Sequence, residues 1–361
     1  MTRTEPDPAA VEAFAGKMVG HLNGAAVMLM TSLGHRTGLF DVMAALPPAT
    51  SRQIAAAAGL SERYVREWLG AMATGGVVEH DPAANTYHLP AEHAAVLTRA
   101  ARPNNLAVGA QFVAVLGAAE DQVAAAFKHG KGVPYSAYPR FHEVMAEESD
   151  QTTVAGLEEH ILPLVPGLTA RLAVGIDVLD VGCGRGQAVM ALARRFPASR
   201  FVGYDFSEEA IGSATRAARA ARLENARFAV RDAAGLTDRS AFDLVTAFDA
   251  IHDQADPAAV LARIRQALRP GGVFLMQDIK ACSHVHGNRD LPLGPWVYTI
   301  SCMHCMSVSL AGGGAGLGAA WGEELALRML ADAGFPSVRV HTLPHDPLNS
   351  YYVARPAAGG Q

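Results

Sequence analysis

Little charge and few cysteines set the first limits on this chain. Only 18% of its 361 residues are Asp, Glu, Lys or Arg, and 35 acids against 30 bases leave a net charge of −5. That balance offers no electrostatic footprint for a nucleic acid backbone, and no basic tail supplies one. A secretory signal is not expected, because Glu5, Asp7 and Glu12 precede any apolar run. The uncharged stretch Leu106 to Ala119 is too short to span a bilayer, which needs about 20 apolar residues. The 4 cysteines show no pattern of a disulfide framework and suit a reducing cytoplasm. Internal repeats and Ser/Gly-rich linkers are missing as well. What is plentiful is apolar surface: 50% hydrophobic content over this length can bury a large core and points to two domains.

One glycine-rich segment is revealing. Val178-Leu179-Asp180-Val181-Gly182-Cys183-Gly184-Arg185-Gly186 reads as an apolar strand that runs into three glycines at alternate positions, and a helical pattern follows from Gln187 to Phe196. Glycines this close together let the backbone turn sharply and let a flat, bulky ligand lie against bare peptide groups. A dinucleotide fingerprint needs Gly-x-Gly-x-x-Gly, but here the third glycine comes one residue early and position 187 is Gln. A glycine-rich turn that binds nothing is the plain alternative.

The segments that follow keep a regular order. Arg200 to Asp205 reads as a second strand ending in an acid about twenty residues past the glycines, where a carboxylate can accept hydrogen bonds from both ribose hydroxyls of an adenosine. Ala226 to Arg231 is a third strand running into Asp232-Ala233, and Phe242 to Phe248 is a fourth. Leu268-Arg269-Pro270-Gly271-Gly272 is the turn into a fifth, Val273 to Met276. Strands separated by amphipathic helices imply a parallel sheet that binds ligands at the carboxyl ends of its strands.

Taken together, the motifs of residues 171–361 resemble class I S-adenosylmethionine (SAM) dependent methyltransferases. The resemblance implies an α/β fold with a Rossmann-like sheet, and SAM as cofactor. It implies a cofactor bed of Asp180, Gly182, Cys183, Gly184 and Gly186, extended by Asp205, Phe206, Asp232, Ala233 and Phe248. Asp232 on its own would read equally as a cap or turn residue.

Just past the fourth strand, Asp249-Ala250-Ile251-His252-Asp253-Gln254 sets an imidazole on a loop at the carboxyl edge. Its place resembles the catalytic His-Asp of small-molecule O-methyltransferases, in which the His takes a proton from a hydroxyl as the oxygen attacks the methyl carbon. The implied roles are a general base in His252 with Asp253 beside it, acting on a small, largely apolar acceptor. A His that merely caps the next helix is the bland alternative. Gln254 stands where those enzymes carry a Trp, and adjacent side chains diverge, so a carboxylate from elsewhere is also a candidate partner for His252. Methyl transfer to nitrogen, sulfur or carbon remains open.

The first third reads differently. Thr31 to Phe40 ends a helix, Leu46 to Ser51 is a break with a capping residue, and short helices over Gln53 to Ala58 and Glu62 to Ala73 flank the turn Gly59-Leu60-Ser61. Gly75 to Glu79 and Thr86 to Leu89 supply two strands, completing a set that resembles a winged helix. On the second short helix Glu62, Arg63, Arg66 and Glu67 cancel in charge. The same O-methyltransferases carry an amino-terminal winged helix used for dimerisation, and Leu39-Phe40-Asp41 with Ser51-Arg52-Gln53-Ile54-Ala55 resembles its sequence. A homodimer is therefore expected, with a SAM-sensing regulator on DNA as the rival. The expected domains are 1–95, a helical connector over 96–170, and 171–361, with the substrate between packed halves. Tyr138 to Met145 in the connector resembles the segment that roofs the cofactor.

From Leu291 through Gly322 there is no Asp, Glu, Lys or Arg. An apolar cavity wall is the better account of this stretch, because Pro292, Pro295 and a run of glycines interrupt it as a membrane span. Trp296, Tyr298, Cys302, His304, Cys305 and Met306 are its candidate substrate-pocket residues, and Gly312 to Gly318 reads as a mobile loop. Cys282, His284 and His286 join Cys302, His304 and Cys305 as soft ligand types suited to zinc or copper. No metal is assigned, because Cys302-x-x-Cys305 lacks a second such pair. A thiol in the substrate pocket and plain packing stay open. If 302–305 is helical, Cys302 and Cys305 share a face and His304 points away from it.

Overall fold

The computed structural model describes residues 5–103 and 105–356; residues 1–4, 104 and 357–361 of the expected domains lie outside them. The chain divides into two compact units, one ending at Val115 and the other starting at Leu116.

In the first unit, helix α1 (Pro8–Thr37) starts on Asp7, whose carboxylate accepts the Ala9 amide, and stops at Gly38 with φ 74°. Glycine is what allows that left-handed stop. A new helix, α2 (Leu39–Ala44), begins there, so the single helix end expected over Thr31 to Phe40 is split. Helix α3 (Ser51–Ala58) opens with a reciprocal capping box between Thr50 and Gln53, and α4 (Glu62–Thr74) follows. The first wing strand is displaced from its expected place: the chain is still turning at Gly76 (φ 71°) and pairs only over β1 (Glu79–Asp81), antiparallel to β2 (Thr86–His88). Phe40, Ile54, Leu69 and Met72 fill the core with Trp68, whose ring meets Phe40 edge-on at 5.3 Å.

The second unit is built on a seven-stranded sheet. Its strands are β3 (Asp177–Val181), β4 (Arg200–Asp205), β5 (Ala226–Val230), β6 (Phe242–Phe248), β7 (Leu268–Ile279), β8 (Ser337–Leu343) and β9 (Asp346–Arg355). The spatial order is β5-β4-β3-β6-β7-β9-β8, parallel except for β9, which pairs antiparallel with both its neighbours. Alternate residues serve opposite faces, as the pleat requires. Val178, Leu244, Val273 and Leu275 enter one apolar cluster, while Leu179, Val245, Phe274 and Met276 enter another. Both faces are thus buried, the usual condition of a parallel sheet.

Between β3 and β6 the strand order reverses, so a crevice opens at their carboxyl ends. The segments following these two strands carry the glycines and His252.

Two local expectations change. The Leu-Arg-Pro-Gly-Gly turn lies inside β7, where Leu268 pairs with Phe242 and Val273 with Leu244, leaving Arg269 to Gly272 as a bulge. The glycine run after 311 is tied down: the Ala315 amide donates to the Ala255 carbonyl at 2.9 Å, and Ser309 Oγ donates to the Gln254 carbonyl at 2.8 Å. Among the described residues no helix is long and apolar enough to cross a membrane.

Candidate functional site

Gly182, Gly184 and Gly186 all have positive φ, at 71°, 51° and 75°. They differ in what surrounds them. A Cβ on Gly182 would stand 2.4 Å from Ala250 Cβ, and one on Gly186 would stand 2.4 Å from the Phe228 ring. Nothing lies within 4 Å of the Cβ that Gly184 lacks, so this peptide unit faces open space. Its amide donates to Asp205 Oδ2 at 2.9 Å, and the Ser207 amide donates to Asp205 Oδ1 at 2.8 Å. Each oxygen keeps a lone pair for a further donor. Burial raises the Asp205 carboxyl above its ordinary value, against the pull of those two amides.

Asp180 is buried and accepts the Thr246 hydroxyl at 2.7 Å. Burial, with the charge of Asp205 added, pushes it up to about 7. Cys183 lies against Gly203, whose missing Cβ would meet its Sγ at 2.7 Å, and burial raises the thiol. Phe206 is half exposed, with its ring edge-on to Tyr135 at 5.1 Å. Asp232 caps the short turn that holds Ala233, accepting the Ala234 amide at 2.9 Å. Phe248, at the end of β6, pairs with Gln277. An open glycine face beside a carboxylate with spare acceptor capacity fits the adenosine end of SAM.

The second half of the crevice is built around His252, which is 3% exposed. Pairing of Phe248 with Gln277 brings the 249–253 loop alongside the end of β7. There His252 Nδ1 lies 2.7 Å from Asp278 Oδ1. The same oxygen accepts the Trp321 indole N–H and the Ile279 amide, both at 2.9 Å. An oxygen that receives two N–H groups is an acceptor, so Nδ1 carries the hydrogen and donates it. Nε2 is left facing Asp253 Oδ1 at 3.2 Å. Burial alone would lower this imidazole, but the charges of Asp278 and Asp253 outweigh it and hold the group well above its ordinary value. Asp253 is held from its other side by the Tyr135 hydroxyl, which donates to Oδ2 at 2.8 Å. Gln254 turns back to its own loop and donates to the Ala250 carbonyl at 2.8 Å.

Asp278, Tyr135 and Trp321 were not singled out from sequence. The signal for Asp278 is present in the strand pattern, since it ends the apolar run of β7 at the carboxyl edge.

The uncharged segment divides. His304 and Cys305 reach the site, whereas Tyr298 accepts from Asn288 at 2.9 Å and Met306 lies against Gly316 and Gly318. Trp296 and Cys302 are half-buried. Residues Ser301–Cys305 form a π-helical turn, whose wider i to i+5 bonding breaks the face-sharing expected for Cys302 and Cys305. It drives His304 inward instead. That ring is fully buried, stacked on Phe141 at 3.6 Å, with Tyr135 and Tyr138 edge-on at 4.9 and 4.8 Å. Burial lowers it to about 4 and raises the Cys305 thiol to about 12.

Metal-capable donors meet here in two overlapping sets, His252 with Asp253 and Cys305, and His252 with Asp249 and Asp278. Cys282 is elsewhere, donating to Glu324 at 3.1 Å, and His284 stacks on His286 at 5.7 Å. The six soft ligands noted in the sequence do not form one cluster among the described residues.

Two family models match the chain. Residues 25–99 match the Rv2258c-like winged HTH domain and residues 172–332 match a methyltransferase domain. The chain thus carries a winged-helix domain followed by a methyltransferase domain. Among curated relatives, trans-aconitate 2-methyltransferase of Methylobacterium radiotolerans is 34% identical over 143 residues, which are 39% of this chain and 51% of that protein. The chain spans about half the length of the curated relatives it matches. Among solved structures, human N-acetylserotonin methyltransferase in complex with SAM aligns at TM-score 0.68 and 17% identity, covering 98% of this chain and 99% of that one. The mitomycin 7-O-methyltransferase MmcR aligns at TM-score 0.68 and 18% identity, covering 96% and 99%. At that identity the likeness establishes the fold.

Proposed function

We propose that this chain transfers a methyl group from SAM to the hydroxyl oxygen of a small, largely apolar molecule, with His252 as general base. SAM supplies a methyl carbon made electrophilic by its sulfonium, so that a new C–O bond forms as the C–S bond breaks. Gly182, Cys183, Gly184 and Gly186 provide the backbone bed and Asp205 the ribose acceptor. Asp180 offers negative charge to the cationic end, and Phe206, Phe248, Asp232 and Ala233 flank the base.

His252 takes the hydroxyl proton on Nε2. Asp278 holds Nδ1–H and so sets the tautomer that leaves Nε2 toward Asp253. Because the imidazole lies between two carboxylates, the proton is taken up by the coupled group rather than by one isolated ring. A positioned base contributes roughly 10²–10⁴-fold, and alignment of oxygen and methyl must supply the rest. His304 and Cys305 close the polar end of the acceptor pocket.

The observation that carries this reading is the placement of the positive-φ glycines after β3 and of His252 after the adjacent β6, where Asp278 at the end of β7 holds it. Labelled SAM with a panel of phenolic and carboxylic acceptors tests it. His252→Ala should cut O-methylation about 10²–10⁴-fold. An unchanged rate would move the methyl to an acceptor that is already nucleophilic, such as a thiolate or amine.

The partner reading is a homodimer. It is supported by α1, where Val11, Phe14, Met18, Leu22, Leu29 and Leu33 recur at helical spacing and are all exposed, Leu22 at 70%. A cytoplasmic setting is supported by the 4 cysteines, all of them free.

A further inference from the structure

The Nε2 side of His252 has donors that the base role leaves unused. Asp253 Oδ1, though 3.2 Å from Nε2, makes no hydrogen bond. Cys305 Sγ joins them, and the three donor atoms all lie within 4.8 Å of one another. His304 stands beside this set without belonging to it: its Nδ1 lies 3.9 Å from the other carboxylate oxygen, Asp253 Oδ2, which the Tyr135 hydroxyl holds. His304 is 0% exposed, and neither of its ring nitrogens has a hydrogen-bond partner. An imidazole desolvated in this way is costly unless something binds it.

We propose that His252, Asp253 and Cys305 hold a single zinc ion, with the neighbouring, unpartnered His304 turning in to complete its coordination. Two imidazole nitrogens, a carboxylate oxygen and a thiolate sulfur make a donor set that suits tetrahedral zinc. Bonds of about 2.0–2.3 Å give a tetrahedron with edges of roughly 3.3–3.8 Å, close to the 3.2 Å already present between His252 Nε2 and Asp253 Oδ1. The outer contacts also match. His252 Nδ1–H is held by Asp278 at 2.7 Å, which fixes Nε2 as the ligating atom, and the Tyr135 hydroxyl anchors Asp253 at 2.8 Å. The overlapping set of Asp249, His252 and Asp278 is the weaker candidate, because Nδ1 already carries a hydrogen.

As the ion enters, the Cys305 thiol gives its proton to solvent and the sulfur–zinc bond forms. The Nε2 lone pair then binds metal and no longer accepts a proton, so the loaded protein is an off state for methyl transfer. That consequence rests on His252 being the base; the binding itself does not.

Full-length protein exposed to cobalt(II) chloride should show the thiolate-to-cobalt band in the near ultraviolet with the intense visible bands of tetrahedral cobalt. After exposure to zinc chloride and desalting, elemental analysis should find one zinc per chain. Cys305→Ser should remove the thiolate band, Asp278→Asn should weaken zinc about 10–100-fold, and Cys282→Ser should change neither. A wild-type cobalt spectrum that is octahedral and lacks the thiolate band overturns the proposal, and needs no variant. So does loss of the band in Cys282→Ser with retention in Cys305→Ser. Metal content is read without an acceptor, whereas the base role is tested on chelator-treated protein, so either can fail alone.

Discussion

Asp278, at the end of β7, accepts the Nδ1 hydrogen of His252 at 2.7 Å across 26 residues of sequence. Since the same oxygen also receives the Trp321 and Ile279 N–H groups, the ring can present only Nε2 to an acceptor. Asp278→Asn keeps the shape but offers an amide in place of a carboxylate, which permits the other tautomer. In chelator-treated protein kcat should fall about 10²–10⁴-fold with KM little changed. Equal kcat values in steady-state assays would remove Asp278 from the mechanism.

The glycines separate packing from binding. Gly182→Ala combines a left-handed backbone, roughly 1–2 kcal/mol by itself, with a 2.4 Å collision on Ala250, two residues from His252. Gly184→Ala meets no neighbour within 4 Å and carries only the backbone strain. Thermal unfolding should find Gly182→Ala clearly the less stable. Gly184→Ala should stay folded and bind SAM more weakly, and unimpaired binding would place the cofactor away from this peptide.

These contrasts mark how far the sequence could be read. The strand ending at Val181, the acid at Asp205 and the loop holding His252 were legible, because apolar runs, glycine spacing and strand ends are local features. Asp278 was not, since its partnership depends on β6 lying beside β7 in a register that sets Phe248 opposite Gln277. The inward turn of His304 was hidden for another reason. Ordinary helical spacing sends it outward, and only the π turn over Ser301–Cys305 brings it to Asp253. In the first unit, the wing strand starts late because Gly76 takes a positive φ that sequence alone does not announce.

Glu148 supplies a pH test away from the site. Burial, with the charge of Asp346 added, raises its carboxyl from 4.5 to about 7. The folded state therefore favours the protonated form, so this group's contribution is full below its unfolded value and is lost as pH rises from 4.5 through about 7. Glu148→Gln should stabilise the protein at about pH 8 by on the order of 3 kcal/mol, with the gain vanishing near pH 4.5. Urea unfolding at both pH values checks this. A difference that does not vary with pH would contradict it.

The exposed stripe of α1 makes a prediction about mass. Light scattering should find two chains per particle, and Phe14→Asp combined with Leu22→Asp should give monomers that keep the α-helical signal. A wild-type monomer would leave this apolar face without the proposed partner.

Titration calorimetry with SAM and with S-adenosylhomocysteine asks most directly whether the crevice between β3 and β6 is an adenosyl site. Both compounds should bind once per chain, Asp205→Ala should abolish the heat, and NAD should give none. Flat traces for both, beside a clean NAD isotherm, would contradict the account at its base.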